Sequence, residues 1–120
     1  MKGFEDLTPL TAKVTVYVPA TVGVDTAADN TVYVDFVAAT LSTWFGGATI
    51  TPGAGCWMSE SVGLVKEETT GVYAYADPAA LDQRGKDLRD MTARLAAEMQ
   101  QEAVAIEING AMYCVESQAG

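Results

Sequence analysis

Two groups of side chains in this sequence could carry chemistry, one around a central hairpin and the other on segments that read as strands. The first is acidic: Glu60, Glu67 and Glu68, with Lys66 among them. Paired carboxylates act as general acid and base, or hold a cation, when their oxygens converge. Glu67 and Glu68 are adjacent, however, and neighbours on an extended strand point to opposite faces. No Asp-x-Asp-x-Asp-Gly loop is present, and Asp25, Asp29 and Asp35 are too dispersed to build one. This group reads as a solvated hairpin tip, and the expectation is no metal and no cofactor. The second group is aromatic: Tyr17, Trp57, Tyr73, Tyr75 and Tyr113. If Tyr17, Tyr73 and Tyr75 share one sheet face, they form a surface suited to stacking or to a protein contact.

Other chemistries are harder to build. The chain has no histidine, which removes Ser-His-Asp and Cys-His nucleophile systems, imidazole metal sites and the usual proton shuttle. Gly46-Gly47 and Gly53-Ala54-Gly55 lack the Lys-Ser/Thr of a phosphate loop. Cys56 and Cys114 are the two cysteines, too few for a disulfide framework, and their apolar neighbours predict buried free thiols. The acidic residues number 16 against 7 Lys and Arg, a net charge of −9. That balance argues against binding nucleic acid by neutralising phosphates.

The elements that must position these residues follow from periodicity. Val14, Val16 and Val18 alternate with Thr15 and Tyr17, a strand ending at Pro19. Ala20 to Asp29 reads as a loop around Gly23. A helix from about Thr31 carries the stripe Tyr33, Phe36, Val37, Leu41, Trp44 and Phe45, and Gly46-Gly47 stops it. Thr49 to Gly55 reads as a loop or irregular strand. Cys56–Ser59, Val62–Lys66 and Thr70–Ala76 read as extended, with Glu67 and Glu68 in a connection.

Asp77-Pro78 opens a second helix with the stripe Leu81, Leu88, Met91, Leu95 and Met99, running through Gly85 to about Gln100. Asp82 with Lys86 and Asp90 with Arg94 are its expected ion pairs. Val104, Ile106 and Ile108 then precede Asn109-Gly110, a type I′ hairpin signal, and a last strand over Ala111 to Val115. Ser117 to Gly120 reads as a loose tail.

This order resembles the ferredoxin-like β-α-β-β-α-β sandwich. The resemblance implies an α+β fold whose antiparallel sheet carries two helices on one face, with an extra C-terminal hairpin strand. One domain over residues 1–120 is expected, its ordered core from about 13 to 115. Gly71-Val72-Tyr73-Ala74-Tyr75 echoes the aromatic run of RNA-recognition modules but lacks their basic residues.

By elimination, the sequence predicts a small acidic non-enzymatic binder. It would act as an inhibitor or nucleic-acid mimic from a phage or mobile element, against a defence nuclease for example. Its partner would be a protein with a basic surface, met through Tyr17, Tyr73, Tyr75, Glu60, Glu67 and Glu68. A homodimer is the further partner expectation, with no nucleic acid bound directly. The alternative is a cofactor-free enzyme or small-ligand-binding dimer on the same fold. With no secretory signal and no apolar run of bilayer length, a cytoplasmic location is expected.

Overall fold

A computed structural model describes residues 1–22, 26–27 and 29–117. The valine alternation makes the central strand β1 (Ala12–Pro19), with Val14, Val16 and Val18 fully buried. A two-stranded ribbon follows, β2 (Thr21–Val22) and β3 (Thr26–Ala27), where the sequence suggests only a loop. Gly23, Asp25 and residues 118–120 lie outside the described residues.

Helix α1 spans Thr31–Phe45 and ends as expected: Gly46 takes φ +93 and its N–H donates to the Ser42 carbonyl. Its phase differs from the expected stripe. Val34, Val37 and Leu41 are buried, whereas Phe36 is exposed and Tyr33, Trp44 and Phe45 pack only at the margin. The aromatic residues read as the apolar stripe because they are large; the branched aliphatics fit closer to the sheet.

The expected loop and broken strands are one long hairpin, β4 (Thr49–Ser59) with β5 (Gly63–Ala76), paired from Thr49↔Tyr73 to Ser59↔Gly63. Glu67 and Glu68 therefore sit within β5 and not in a connection. Asp77 caps α2 (Pro78–Gln83) by accepting the Ala79 N–H at 3.2 Å. The single second helix expected is two: the chain breaks at Arg84 and continues as α3 (Gly85–Glu98). The Arg84 guanidinium lies 5.0 Å above the Trp44 ring, tying this junction to the end of α1. The ion pairs shift accordingly, to Arg84–Asp87, Lys86–Asp90 and Arg94–Glu98.

Strand β6 (Ala103–Ile108) turns through Asn109 (φ +51) and Gly110 (φ +85) into β7 (Ala111–Glu116). The positive φ at both positions is what the Asn-Gly pair predicts. Ser117 is tied down, its N–H donating to the Glu102 carbonyl at 2.9 Å.

The result is α+β: a five-stranded antiparallel sheet in the order β4-β5-β1-β6-β7, with three helices. Val14, Val16, Val18, Val72, Val104 and Ile106 meet Val37, Leu41, Leu88 and Leu95 in one cluster, so the helices share one sheet face. The outer part of the β4–β5 hairpin has no share in that cluster. The radius of gyration is 15.7 Å and the longest extent 54 Å. A compact chain of this length would have about 14 Å. The difference is a projecting arm. No helix among the described residues is long and apolar enough to cross a membrane.

Candidate functional site

The arm leaves the sheet where β1 ends. Pairing of β5 with β1 stops at Pro19↔Thr69, so from Glu68 outward β5 pairs, among the described residues, with β4 alone. One edge of β5 thus becomes unpaired at the point where Ala20 begins the next connection. A cleft of about 350 Å3 opens there, lined by Tyr17, Glu67, Glu68, Thr69, Gln101 and Met112 among others. A second lobe of about 370 Å3 shares Ala20, Glu68 and Thr69 with it and adds Asp29, Asn30, Pro52 and Gly53. The two form one trough around Ala20 and Glu68.

Alternation puts Glu67 and Glu68 on opposite faces of β5, yet both line the cleft. The trough runs along the free edge of the strand, and an edge is reached from either face.

Its walls are fixed by hydrogen bonds between elements far apart in sequence. Thr69 Oγ1 donates to the Val18 carbonyl at 3.2 Å. Asn30 Nδ2 donates to the Pro19 carbonyl at 3.0 Å and to Thr70 Oγ1 at 3.3 Å. Gln101 Nε2 donates to the Thr21 carbonyl at 3.1 Å and to its hydroxyl at 3.3 Å. Asn30 holds the N-cap position of α1 without capping it; its side chain is used across the fold instead. Asp29 takes the hydroxyl and backbone N–H of Thr31, and these bonds hold its carboxyl below the usual carboxylate range.

The trough is electronegative. Asp29, Glu67 and Glu68 line it, and neither lobe has a Lys or Arg among its lining residues. Such a wall attracts cations and repels phosphates. No cluster of metal-ligating side chains is found among the described residues.

The residues singled out in the sequence divide. Tyr17, Glu67 and Glu68 come together at the trough. Glu60 is at the exposed arm tip. Tyr17, Tyr73 and Tyr75 share the open sheet face, as the alternation predicts; Tyr73 and Tyr75 stand edge to face at 5.9 Å, with Lys13 Nζ 4.5 Å from the first ring and 5.6 Å from the second. They are engaged with each other and with a cation of their own chain. Tyr113 is separated from them: it is paired with Ile106, on the helix side of the sheet. Both cysteines are free and exposed, not buried, since Cys56 is on the arm and Cys114 on the edge strand β7. Asp29, Asn30, Thr69 and Gln101 were not legible, because their roles depend on contacts across long stretches of sequence.

Against known proteins, no family model and no curated sequence matches the chain. Two solved structures do share its fold. A phage SAM lyase in complex with S-methyl-5′-thioadenosine superposes with a TM-score of 0.66 over 95% of both chains, at 16% identity. A phage SAM lyase in the apo state gives 0.62 over 91% of both chains, also at 16% identity. At this identity the likeness is one of fold. It nonetheless overturns the expectation of a non-enzymatic inhibitor or nucleic-acid mimic, which rested on the absence of familiar catalytic motifs. The structures that share this architecture almost end to end are those of an enzyme.

Proposed function

We propose that the chain binds S-adenosylmethionine in the trough and cleaves it to S-methyl-5′-thioadenosine. The observation that carries this reading is the pairing of a trough whose charged lining residues are all acidic with the fold of a lyase for that substrate. The substrate bears two cationic centres, a sulfonium and an ammonium, and the thioadenosine product bears neither. Carboxylates therefore draw in the substrate and hold the product less tightly.

The chemistry balances without an external base, water or oxidant. An oxygen of the substrate's own carboxylate attacks its Cγ; the Cγ–S bond breaks and its electron pair stays on sulfur. A neutral thioether and a five-membered lactone result, and no proton moves. A chain without histidine can support such a step by positioning alone. The sulfonium loses charge as the bond breaks, so a carboxylate beside it would stabilise the reactant over the transition state. Glu67 and Glu68 serve better at the ammonium and the ribose hydroxyls, whose charge and polarity do not change. Tyr17 offers an aromatic face for the base or the sulfonium.

The order β6-β1-β5-β4 with helices on one face supports a ferredoxin-like reading of the sheet, with β7 and the β2–β3 ribbon as additions. Two free exposed thiols suit a reducing, cytoplasmic setting.

The test is incubation of the full chain with S-adenosylmethionine and chromatography of the products. Thioadenosine and a lactone are expected; a vinyl amino acid in place of the lactone would replace the displacement by a base-driven elimination. Glu68→Gln should lower turnover by at least about tenfold, the loss of one charge-assisted contact. No thioadenosine formed, and no rise in melting temperature when thioadenosine is added, would overturn the proposal.

A further inference from the structure

We propose that the segment Met1–Thr11 of one copy seats in the groove between α3 and β7 of a second copy. The inference is independent of the reaction proposed above.

The segment has a defined shape, and every one of its residues is exposed. The Phe4 N–H donates to the Met1 carbonyl at 3.1 Å, the Leu7 N–H to the Phe4 carbonyl at 3.0 Å, and the Gly3 N–H to the Glu5 carboxylate at 2.9 Å. Met1, Phe4, Leu7 and Leu10 recur every third residue and are all exposed, Phe4 and Leu7 by 52% and 57%. None of them joins the core cluster. An ordered row of large apolar side chains facing water calls for a partner surface.

The groove is the counterpart. Helix α3 packs over β6 and covers β7 only in part: Val115 packs against the core while the rest of the edge strand is exposed, which leaves a channel of about 560 Å3. Leu88, Ile106, Ile108 and Val115 form its apolar lining, with Tyr113 and Arg89 adding polar groups. Gly85 keeps one end open, since a Cβ there would meet nothing within 4 Å.

Charge sets the occupant. Of the cations on α3 and its junction, Arg84, Lys86 and Arg94 are paired at 3.0, 2.7 and 3.2 Å. Arg89, at the groove, has no ion-pair partner among the described residues. The segment carries Glu5-Asp6 between Phe4 and Leu7, so its acids flank its apolar row. Its Lys2 suits Glu116, which also borders the groove. In one chain the two do not meet: no residue of the segment lines the groove. The segment enters β1 beside the C-terminal turn, where the Lys13 N–H donates to Asn109 Oδ1 at 2.9 Å. From there outward every residue of the segment is exposed, so its apolar side chains are open to another copy. Reciprocal seating gives a closed pair, and sequential seating a ring.

Sedimentation velocity of the full chain across a concentration series tests this. The wild type should associate reversibly below roughly 100 μM, the range of a modest interface. Removing residues 1–11, or Leu7→Asp, should shift the dissociation constant upward by at least about tenfold. Arg89→Glu should do the same, and adding Glu5→Arg and Asp6→Arg to it should restore association. Circular dichroism verifies that each variant is folded. A wild type that stays monomeric overturns the proposal, including the case where the deletion lowers the melting temperature and so places the segment on its own chain. An assembly unchanged by the deletion or by Arg89→Glu overturns it equally.

Discussion

The two hairpins at opposite edges of the sheet have the same antiparallel pairing and different sources of order. In β6–β7, Val104 and Ile106 are buried beside β1, and a two-residue turn fixes the register. In β4–β5 the pairing is longer, but beyond Thr69 it rests on its own ladder alone, with Trp57, Met58 and Leu64 exposed. The first hairpin is held by the core and the second by its backbone. The trough opens where burial stops.

Core truncations should show the contrast most strongly. Ile106→Ala is expected to destabilise by about 2–5 kcal/mol, and Leu95→Ala, in the same core cluster on α3, by a similar amount. Leu64→Ala on the arm should stay within about 0.5 kcal/mol. Denaturant midpoints decide, and equal losses at Ile106 and Leu64 would erase the distinction.

A smaller effect is expected at the turns. Asn109→Val forces a β-branched residue into positive φ and removes the acceptor for the Lys13 N–H. It should destabilise by about 1–3 kcal/mol. Gly63→Ala in the arm also meets positive φ, at +80, yet should alter the midpoint by about 1 kcal/mol or less, because local fraying of the arm releases the strain. A larger penalty at Gly63 would mean that the arm unfolds together with the core.

The smallest effect concerns pH. The hydroxyl and N–H of Thr31 lower the Asp29 pKa, so the stability they confer is present above the unfolded value of about 4. It is lost as pH falls through the lower, folded value. The melting-temperature gap between wild type and Asp29→Ala should therefore narrow in acid. A gap constant down to pH ~2 would show that the carboxylate's charge plays no part.

The legibility of the chain follows the same division. Sequence patterns report burial and turn chemistry, so β1, the stripe of α3, the Asp77-Pro78 start and the Asn109-Gly110 turn were all readable. The outer part of the β4–β5 hairpin has no fully buried residue, and without a burial pattern β4 and the outer half of β5 read as a loop and fragments. The helix break at Arg84 escaped because the apolar spacing continues through it. At the site, Tyr17, Glu67 and Glu68 stood out by type, but as parts of a protein-binding surface. Their convergence depends on where β1 stops, which is a fact of register. Asn30 and Gln101 act by reaching Pro19 and Thr21, contacts that local sequence does not encode.

The unpaired edge of β5 has another consequence. A free run of strand flanked by Trp57, Met58 and Leu64 is a template on which other strands can add, leading toward insoluble aggregates. Lys66, Glu67 and Glu68 occupy the inner half of that run, next to the sheet, and repel such growth, as charged gatekeepers do. Any variant that neutralises both glutamates to probe binding also strips this protection, and its solubility limit should fall with its activity. Under the proposed function, these two positions answer to colloidal behaviour as well as to substrate.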